Sequence, residues 1–271
     1  MSKPTIRTVH HFAATGGTMI CKSLAVLPDV YLLSEVSPFT FGQLRFNPVD
    51  PLQQAVCQYQ GRLGFSANEL AQAFYNRLRP VYDKVAQQGG HLVLRDHSHS
   101  DWFSPQPRTV STLTEVLKGA FDLKSIVTLR NPVETYVSAH KRGWTATVAS
   151  FDDYCARILS LVDYFDGRPL VHYEDFVADP DASLRAMADA LALPYDPGWR
   201  ARYNSVRLTG DSGRGSGDAD IRPLPLKPVS AELRRAVLTS DNYRQLCERF
   251  GYLRDPEDMA AARREAIAAR G

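Results

Sequence analysis

Five short runs rich in β-branched and apolar residues alternate along the chain with segments whose apolar positions recur at helical spacing. The runs are Ile6 to Ala13, Val30 to Leu33, His91 to Leu94, Ser125 to Leu129 and Pro169 to Tyr173. Helical patterns cover Thr18 to Leu27, Ala67 to Gln88, Val133 to Lys141, Phe151 to Phe165 and Pro180 to Leu191. Such alternation predicts an α/β fold: a central, mostly parallel sheet covered by helices on both faces, three layers in α/β/α order. Right-handed crossovers would gather the loops after the strands along one edge of the sheet, where open α/β folds bind ligands. Helix is expected again from Ser230 to about Phe250 and in the charged tail from Pro256. Between them, residues 209–228 turn to Gly, Asp and Pro, either as a linker or as a flexible loop that closes on a ligand. With no internal repeat and no clear boundary, residues 1–271 read as a single domain.

Composition narrows the partners. At 44% hydrophobic residues the chain can build a core without disulfide or metal, burying about 70–75% of its unfolded surface. A formal net charge of +2 excludes a nucleic-acid coat or a membrane-surface protein, so any anion site must be local. The four cysteines, Cys21, Cys57, Cys155 and Cys247, are too widely spaced for a zinc motif. They read as reduced thiols of a cytoplasmic protein, Cys21 on a buried helix face. Met1 to Pro4 lacks a signal-peptide run, and no apolar stretch reaches a membrane span. No metal is expected.

After the first strand comes Ala14-Thr15-Gly16-Gly17-Thr18, then the apolar helical pattern of Met19, Ile20, Leu24 and Leu27. Strand, glycine turn and helix together point backbone N–H groups and a helix N-terminus at a phosphate, with the Thr18 hydroxyl as a further donor. The alternative is a tight turn with Thr18 as helix cap. No Lys precedes the Ser/Thr as in nucleotide triphosphatases, and Lys22, a turn into the helix, reads as a solvated helix-face charge. Farther along, the fourth strand ends in Arg130-Asn131-Pro132, with Ser138 eight residues after Arg130. Arg130 offers a bidentate fork, Pro132 preorganises the helix start and Ser138 adds a hydroxyl, which makes a compact anion clamp.

With these elements the sequence resembles the sulfotransferase family, whose donor is 3′-phosphoadenosine 5′-phosphosulfate. The resemblance runs over roughly residues 8–195 and implies a P-loop-NTPase-like arrangement without a metal. It implies that Thr15, Gly16, Gly17 and Thr18 hold the 5′-phosphosulfate, and that Arg130 and Ser138 of the R-x-P-x-x-x-x-x-S element hold the 3′-phosphate. His172-Tyr-Glu-Asp-Phe176 with Asp179-Pro180 looks like the family's fifth strand and following helix. Asp211-Ser-Gly-Arg214-Gly-Ser-Gly217 resembles its C-terminal loop, with Arg214 on the 3′-phosphate; the alternative is a solvated linker. One departure stands out: many members carry Lys or Arg just before the glycine of the turn, where this chain has Thr15, leaving Lys22 or Arg95 to supply the charge.

Transfer needs a base near the strand ends. The resemblance implies two candidates, Glu35 at the end of the second strand, eighteen residues after Gly17, and His97 after the third. A surface carboxylate and a polar loop histidine are the plain alternatives. Of His10 and His11, at least one is expected to be a satisfied core residue. Phe39, Phe41, Trp102, Phe103 and Trp144 are candidates for an apolar acceptor pocket or for the core, and the pocket is expected from residues 44–64 and the segment after Trp144. The leading function is sulfuryl transfer from that donor to a hydroxyl or amine of a small-molecule or glycan acceptor. A nucleotide-dependent kinase is second, disfavoured by the missing P-loop Lys and by the lack of an evident metal-holding Asp at the end of an apolar strand. A non-catalytic nucleotide-binding module is third.

Overall fold

The computed structural model describes residues 3–39, 50–209 and 221–268. Five strands, β1 (Thr5–His11), β2 (Val30–Val36), β3 (His91–Asp96), β4 (Asp122–Leu129) and β5 (Leu170–His172), form one sheet in the order β2-β3-β1-β4-β5. Every pairing is parallel, and Val9 at the centre lies beside both Arg95 and Ile126. The first helices are α1 (Gly17–Ala25), α2 (Pro51–Leu63), α3 (Ala67–Gln87), α4 (His99–Trp102), α5 (Thr112–Leu117) and α6 (Pro132–His140). They are followed by α7 (Phe151–Tyr164), α8 (Tyr173–Ala178), α9 (Pro180–Ala190), α10 (Trp199–Arg202), α11 (Ala231–Thr239), α12 (Asp241–Phe250) and α13 (Pro256–Ala268).

Alternate strand residues face opposite layers. Val9, Val93 and Ile126 pack onto Ile20, Cys21 and Leu24 of α1 and onto Phe176, Leu184 and Met187. Ile6, Leu92 and Leu94 face the other way, onto Leu78, Leu113 and Phe121, while Val127 and Leu129 meet Phe151, Ile158 and Leu246. Each such side chain removed from water contributes about 1.5–3 kcal/mol. Coverage on both faces explains the apolar runs Leu92-Val93-Leu94 of β3 and Ile126-Val127 of β4. It also places the site: α1 leaves β1 toward one layer and α6 leaves β4 toward the other, so a crevice opens between the ends of these two adjacent strands.

Local differences from the sequence expectation have identifiable causes. β2 continues past Leu33 to Val36, because Glu35 adopts a φ of 59° and the pairing with β3 shifts register there. The single helix expected from Ser230 to Phe250 is two, broken at Ser240, whose Oγ accepts from Tyr243 N while its hydroxyl donates to Asp152 Oδ1 at 2.6 Å. α2, inside the stretch expected to form the acceptor pocket, is started by Asp50, whose carboxylate accepts from Gln53 N, with Pro51 as first residue. α1 begins one residue before Thr18, with Gly16 rather than Thr18 at the cap position. All four cysteines are free and Cys21 is fully buried. None of the described helices is long and apolar enough to cross a membrane.

Candidate active site

Both expected anion elements open into one cavity of about 1560 Å³, whose lining includes Gly16, Gly17 and Thr18 together with Arg130 and Ser138. The turn bends through left-handed backbone at Ala14 (φ 66°) and Gly16 (φ 83°). Glycine takes this conformation freely, whereas Ala14 is held in it at a strain of roughly 1–2 kcal/mol. The two glycines are also required by their neighbours. A Cβ on Gly16 would lie 2.3 Å from Cδ2 of Tyr173, and one on Gly17 would lie 2.5 Å from Cε1 of His11. Thr15 does not reach the cavity: its hydroxyl is buried and donates to the Phe12 carbonyl at 2.7 Å.

Arg130 leaves the end of β4 and lies over the Tyr173 ring, 4.3 Å from its centroid. Its Nη1 donates to the carbonyl of Ala14 at 3.4 Å, which ties the second element directly to the glycine turn. Nη2 pairs with Glu134, whose other oxygen accepts from Arg263 of α13 at 2.8 Å, and Nε is buried with no hydrogen-bond partner among the described residues. The adjoining α6 is started as expected, by Pro132 at the first turn and by Asn131, whose Oδ1 accepts from Val133 N at 2.9 Å. Ser138 projects from the same helix, and its hydroxyl accepts from Nζ of Lys227 at 2.8 Å. Lys227, within the Gly- and Pro-rich stretch, was not anticipated; nothing in its Pro-Leu-Lys-Pro surroundings marks it as a ligand group. Arg214 and Phe41 lie outside the described residues.

The two base candidates face each other. Glu35 turns inward on its left-handed backbone, with Oε1 2.9 Å from Nη2 of Arg95 and Oε2 3.4 Å from Nε2 of His97. Burial raises the Glu35 carboxyl above its ordinary range, with Arg95 opposing that rise. Burial, with His99 and Arg95 nearby, pushes His97 down to about 3, so its imidazole is neutral at physiological pH. The carboxylate is therefore the stronger base of the pair. Arg95, fully enclosed, also donates from Nε to His11 Nε2 at 2.7 Å and from Nη1 to Ser34 Oγ at 2.9 Å. His99 completes a group in which one donor atom each from Glu35, His97 and His99 lies within 4.8 Å of the others. That spacing suits a divalent ion, but the Arg95 guanidinium already compensates the carboxylate, and its charge opposes a second cation.

Other expectations sort by burial. Lys22 is not a solvated helix-face charge; it is buried, lines the cavity and sits 4.7 Å from the centroid of the Tyr203 ring. An Asp does end an apolar strand, namely Asp96 of β3, but its carboxylate faces away from the cavity into a closed network. Oδ2 accepts from Ser98 and Ser111 and pairs with His10 Nδ1 at 2.8 Å. His10 is thus the satisfied core histidine, whereas His11 lines the cavity. Trp102 and Phe103 pack with Phe12 in the core, and Trp144 borders the cavity. From the expected acceptor region, Asp50 and Gln53 of α2 reach the cavity wall.

No protein-family model and no curated protein matches the sequence. Solved structures do match. The sulfotransferase domain of the olefin synthase of Synechococcus PCC 7002 covers 93% of this chain and 97% of its own, with a TM-score of 0.56 at 18% identity. A sulfotransferase domain from the curacin biosynthetic pathway gives 93% and 99%, 0.54 and 16%. A mouse sulfotransferase complexed with PAP gives 90% and 88%, 0.50 and 13%. The likeness is one of fold: this chain has a sulfotransferase-like fold, as the resemblance implied.

Proposed function

We propose that this chain is a single-domain sulfotransferase that moves the sulfuryl group of 3′-phosphoadenosine 5′-phosphosulfate to a hydroxyl or amine of a small-molecule or glycan acceptor. The observation that carries this reading is the direct contact between its two anion elements, Arg130 Nη1 on the Ala14 carbonyl, with Arg130 Nε beside it unpartnered among the described residues. A doubly phosphorylated nucleotide is the ligand class that both elements can grip at once.

In this reading the N–H groups of residues 16–18 and the start of α1 hold the 5′-phosphosulfate. Arg130 and Ser138 hold the 3′-phosphate, with Lys227 beside Ser138 in the role first expected of Arg214. Thr15 contributes by shaping the turn, to which its hydroxyl is committed. Lys22 and Arg95 supply the positive charge that the turn itself lacks. Glu35 takes the acceptor's proton as the acceptor oxygen or nitrogen bonds to sulfur and the bond from sulfur to the 5′-phosphate oxygen breaks. His97, neutral and against the same carboxylate, orients the acceptor. Four free thiols and the absence of a membrane-crossing helix among the described residues fit a cytoplasmic enzyme.

Thermal shift is the direct test. Adenosine 3′,5′-bisphosphate without magnesium should stabilise the chain, by about 2.7 kcal/mol at a hundred times its Kd. Stabilisation by ATP with magnesium in its place would overturn the reading in favour of phosphoryl transfer.

A further inference from the structure

His11 and Gly17 form a matched pair. The strand places His11 on the α1 side of the sheet, and its ring occupies the space that any side chain at Gly17 would need. Besides a longer contact of Nδ1 with the Thr15 hydroxyl at 3.4 Å, each ring nitrogen has one close partner that allows only one role. Nδ1 lies 2.7 Å from the Phe12 carbonyl oxygen, which only accepts, so Nδ1 carries the hydrogen. Nε2 lies 2.7 Å from Nε of Arg95, which only donates, so Nε2 presents its lone pair. Two independent contacts thus fix the same neutral tautomer, and complete burial favours it further.

We infer that His11 is a positioning residue for the acid–base end of the cavity: by accepting from Arg95 Nε, it turns the guanidinium so that Nη2 meets Glu35 and Nη1 meets Ser34. The remaining geometry agrees. A guanidinium is planar and rigid, so fixing Nε together with Nη1 leaves one direction for Nη2, and Glu35 Oε1 stands there at 2.9 Å. Without the histidine acceptor, Nε would be a buried donor left unpaired, and the side chain would rotate to satisfy it. Gly17 is then needed at the turn because His11 must fit behind it, in addition to any ligand it admits. The orientation of Arg95 stands on these contacts alone; its effect on turnover rests on the proposed function.

Two arms test the inference on the full chain. In the first, nitrogen NMR of the ligand-free protein should show His11 as the Nδ1–H tautomer through the neutral range. The Arg95 Nε–H should exchange slowly in the wild type and in His11→Gln, whose amide oxygen can accept, and rapidly in His11→Leu. A charged or Nε2–H His11 overturns the inference, as does equally fast Arg95 exchange in wild type and His11→Leu. In the second arm, sulfuryl transfer to 4-nitrophenol is followed with calorimetric binding of adenosine 3′,5′-bisphosphate. His11→Leu should lose about 10- to 100-fold in kcat with bisphosphate Kd within about 3-fold, and His11→Gln should recover most of the loss. Folding of each variant is checked by thermal midpoint, and His11→Gln carries the comparison if His11→Leu does not fold. Unchanged kcat in a folded His11→Leu overturns the positioning role. A wild type that holds the expected tautomer but binds no bisphosphate instead overturns the proposed function and leaves the Arg95 assignment intact.

Discussion

Arg95 on β3 and Arg130 after β4 stand on either side of β1, both line the cavity and both are largely enclosed, yet their nitrogens are used differently. Arg95 has a protein partner at each nitrogen: His11, Ser34 and Glu35. Arg130 has a paired Nη2, a long contact at Nη1 and, among the described residues, no partner at Nε. A saturated guanidinium sets the charge and direction of its neighbours, whereas an unsaturated one has donors to offer a ligand. Each arginine is tied to one glycine of the turn through a ring, Arg130 to Gly16 through Tyr173 and Arg95 to Gly17 through His11. On the proposed function, the turn would serve two devices, one that grips the donor and one that serves the chemistry.

The sharpest way to break this division is at Glu35. Glu35→Gln should lower kcat by about 10²- to 10⁴-fold while adenosine 3′,5′-bisphosphate binds within about 3-fold of wild type. Parallel loss of rate and affinity, measured by steady-state kinetics and calorimetry, would mean that the two ends are not separable. Arg130→Ala should show the converse: bisphosphate Kd weakened by about 10²-fold, since a desolvated charge pair is worth about 2–5 kcal/mol, with kcat at saturating donor changed far less.

The glycines sharpen the comparison further. Gly16→Ala and Gly17→Ala should each cost about 1–3 kcal/mol of stability by chemical denaturation, because a ring must move aside. Gly16→Ala should also weaken bisphosphate binding by way of Tyr173 and Arg130, whereas Gly17→Ala should lower kcat by way of His11 and Arg95. Identical profiles for the two variants would argue against separate devices.

The smallest expected effect lies just behind the site, in the stability of Asp101. Burial raises its carboxyl to about 6 from an unfolded value of 3.8, so the fold prefers the protonated form. That contribution is whole below about pH 4 and is lost as pH rises through about 6. His97 and His99, held neutral near 3 and 4, act with the opposite sign, losing stability as pH falls below the ordinary imidazole value. The difference in thermal midpoint between wild type and Asp101→Asn isolates the first effect and should change by a few degrees between pH 4 and 6.5. A difference that stays flat over that range would place the Asp101 carboxyl in its ordinary range.

Much of this was legible in the sequence because it is local. The five strands, the glycine turn and the Arg-Asn-Pro helix start each follow from residues a few positions apart, and they lie where expected, although most strand ends differ by one to three residues. What escaped notice depends on packing. Glu35 reads either as a candidate base or as a surface carboxylate, and only the register shift in β2 shows that it turns inward. His10 and His11 are indistinguishable as a pair of letters, but strand alternation sends one to Asp96 and the other to Arg95. Lys22 sits at a helical position that spacing alone cannot call buried, and it is Tyr203, far along the chain, that covers it. Two adjacent glycines announce a close approach without saying of what, and the rings of Tyr173 and His11 supply the answer.

The kink that brings Glu35 inward has an effect on the outside of the molecule as well. β2 is a rim of the sheet, and its pairing is regular only from Val30 to Leu33 before the bulge interrupts it. The opposite rim, β5, is three residues long. Among the described residues neither rim offers a long, regular ladder of unpaired amides, so the irregularity that turns Glu35 inward also leaves a poorer template for a second copy of the chain to pair with.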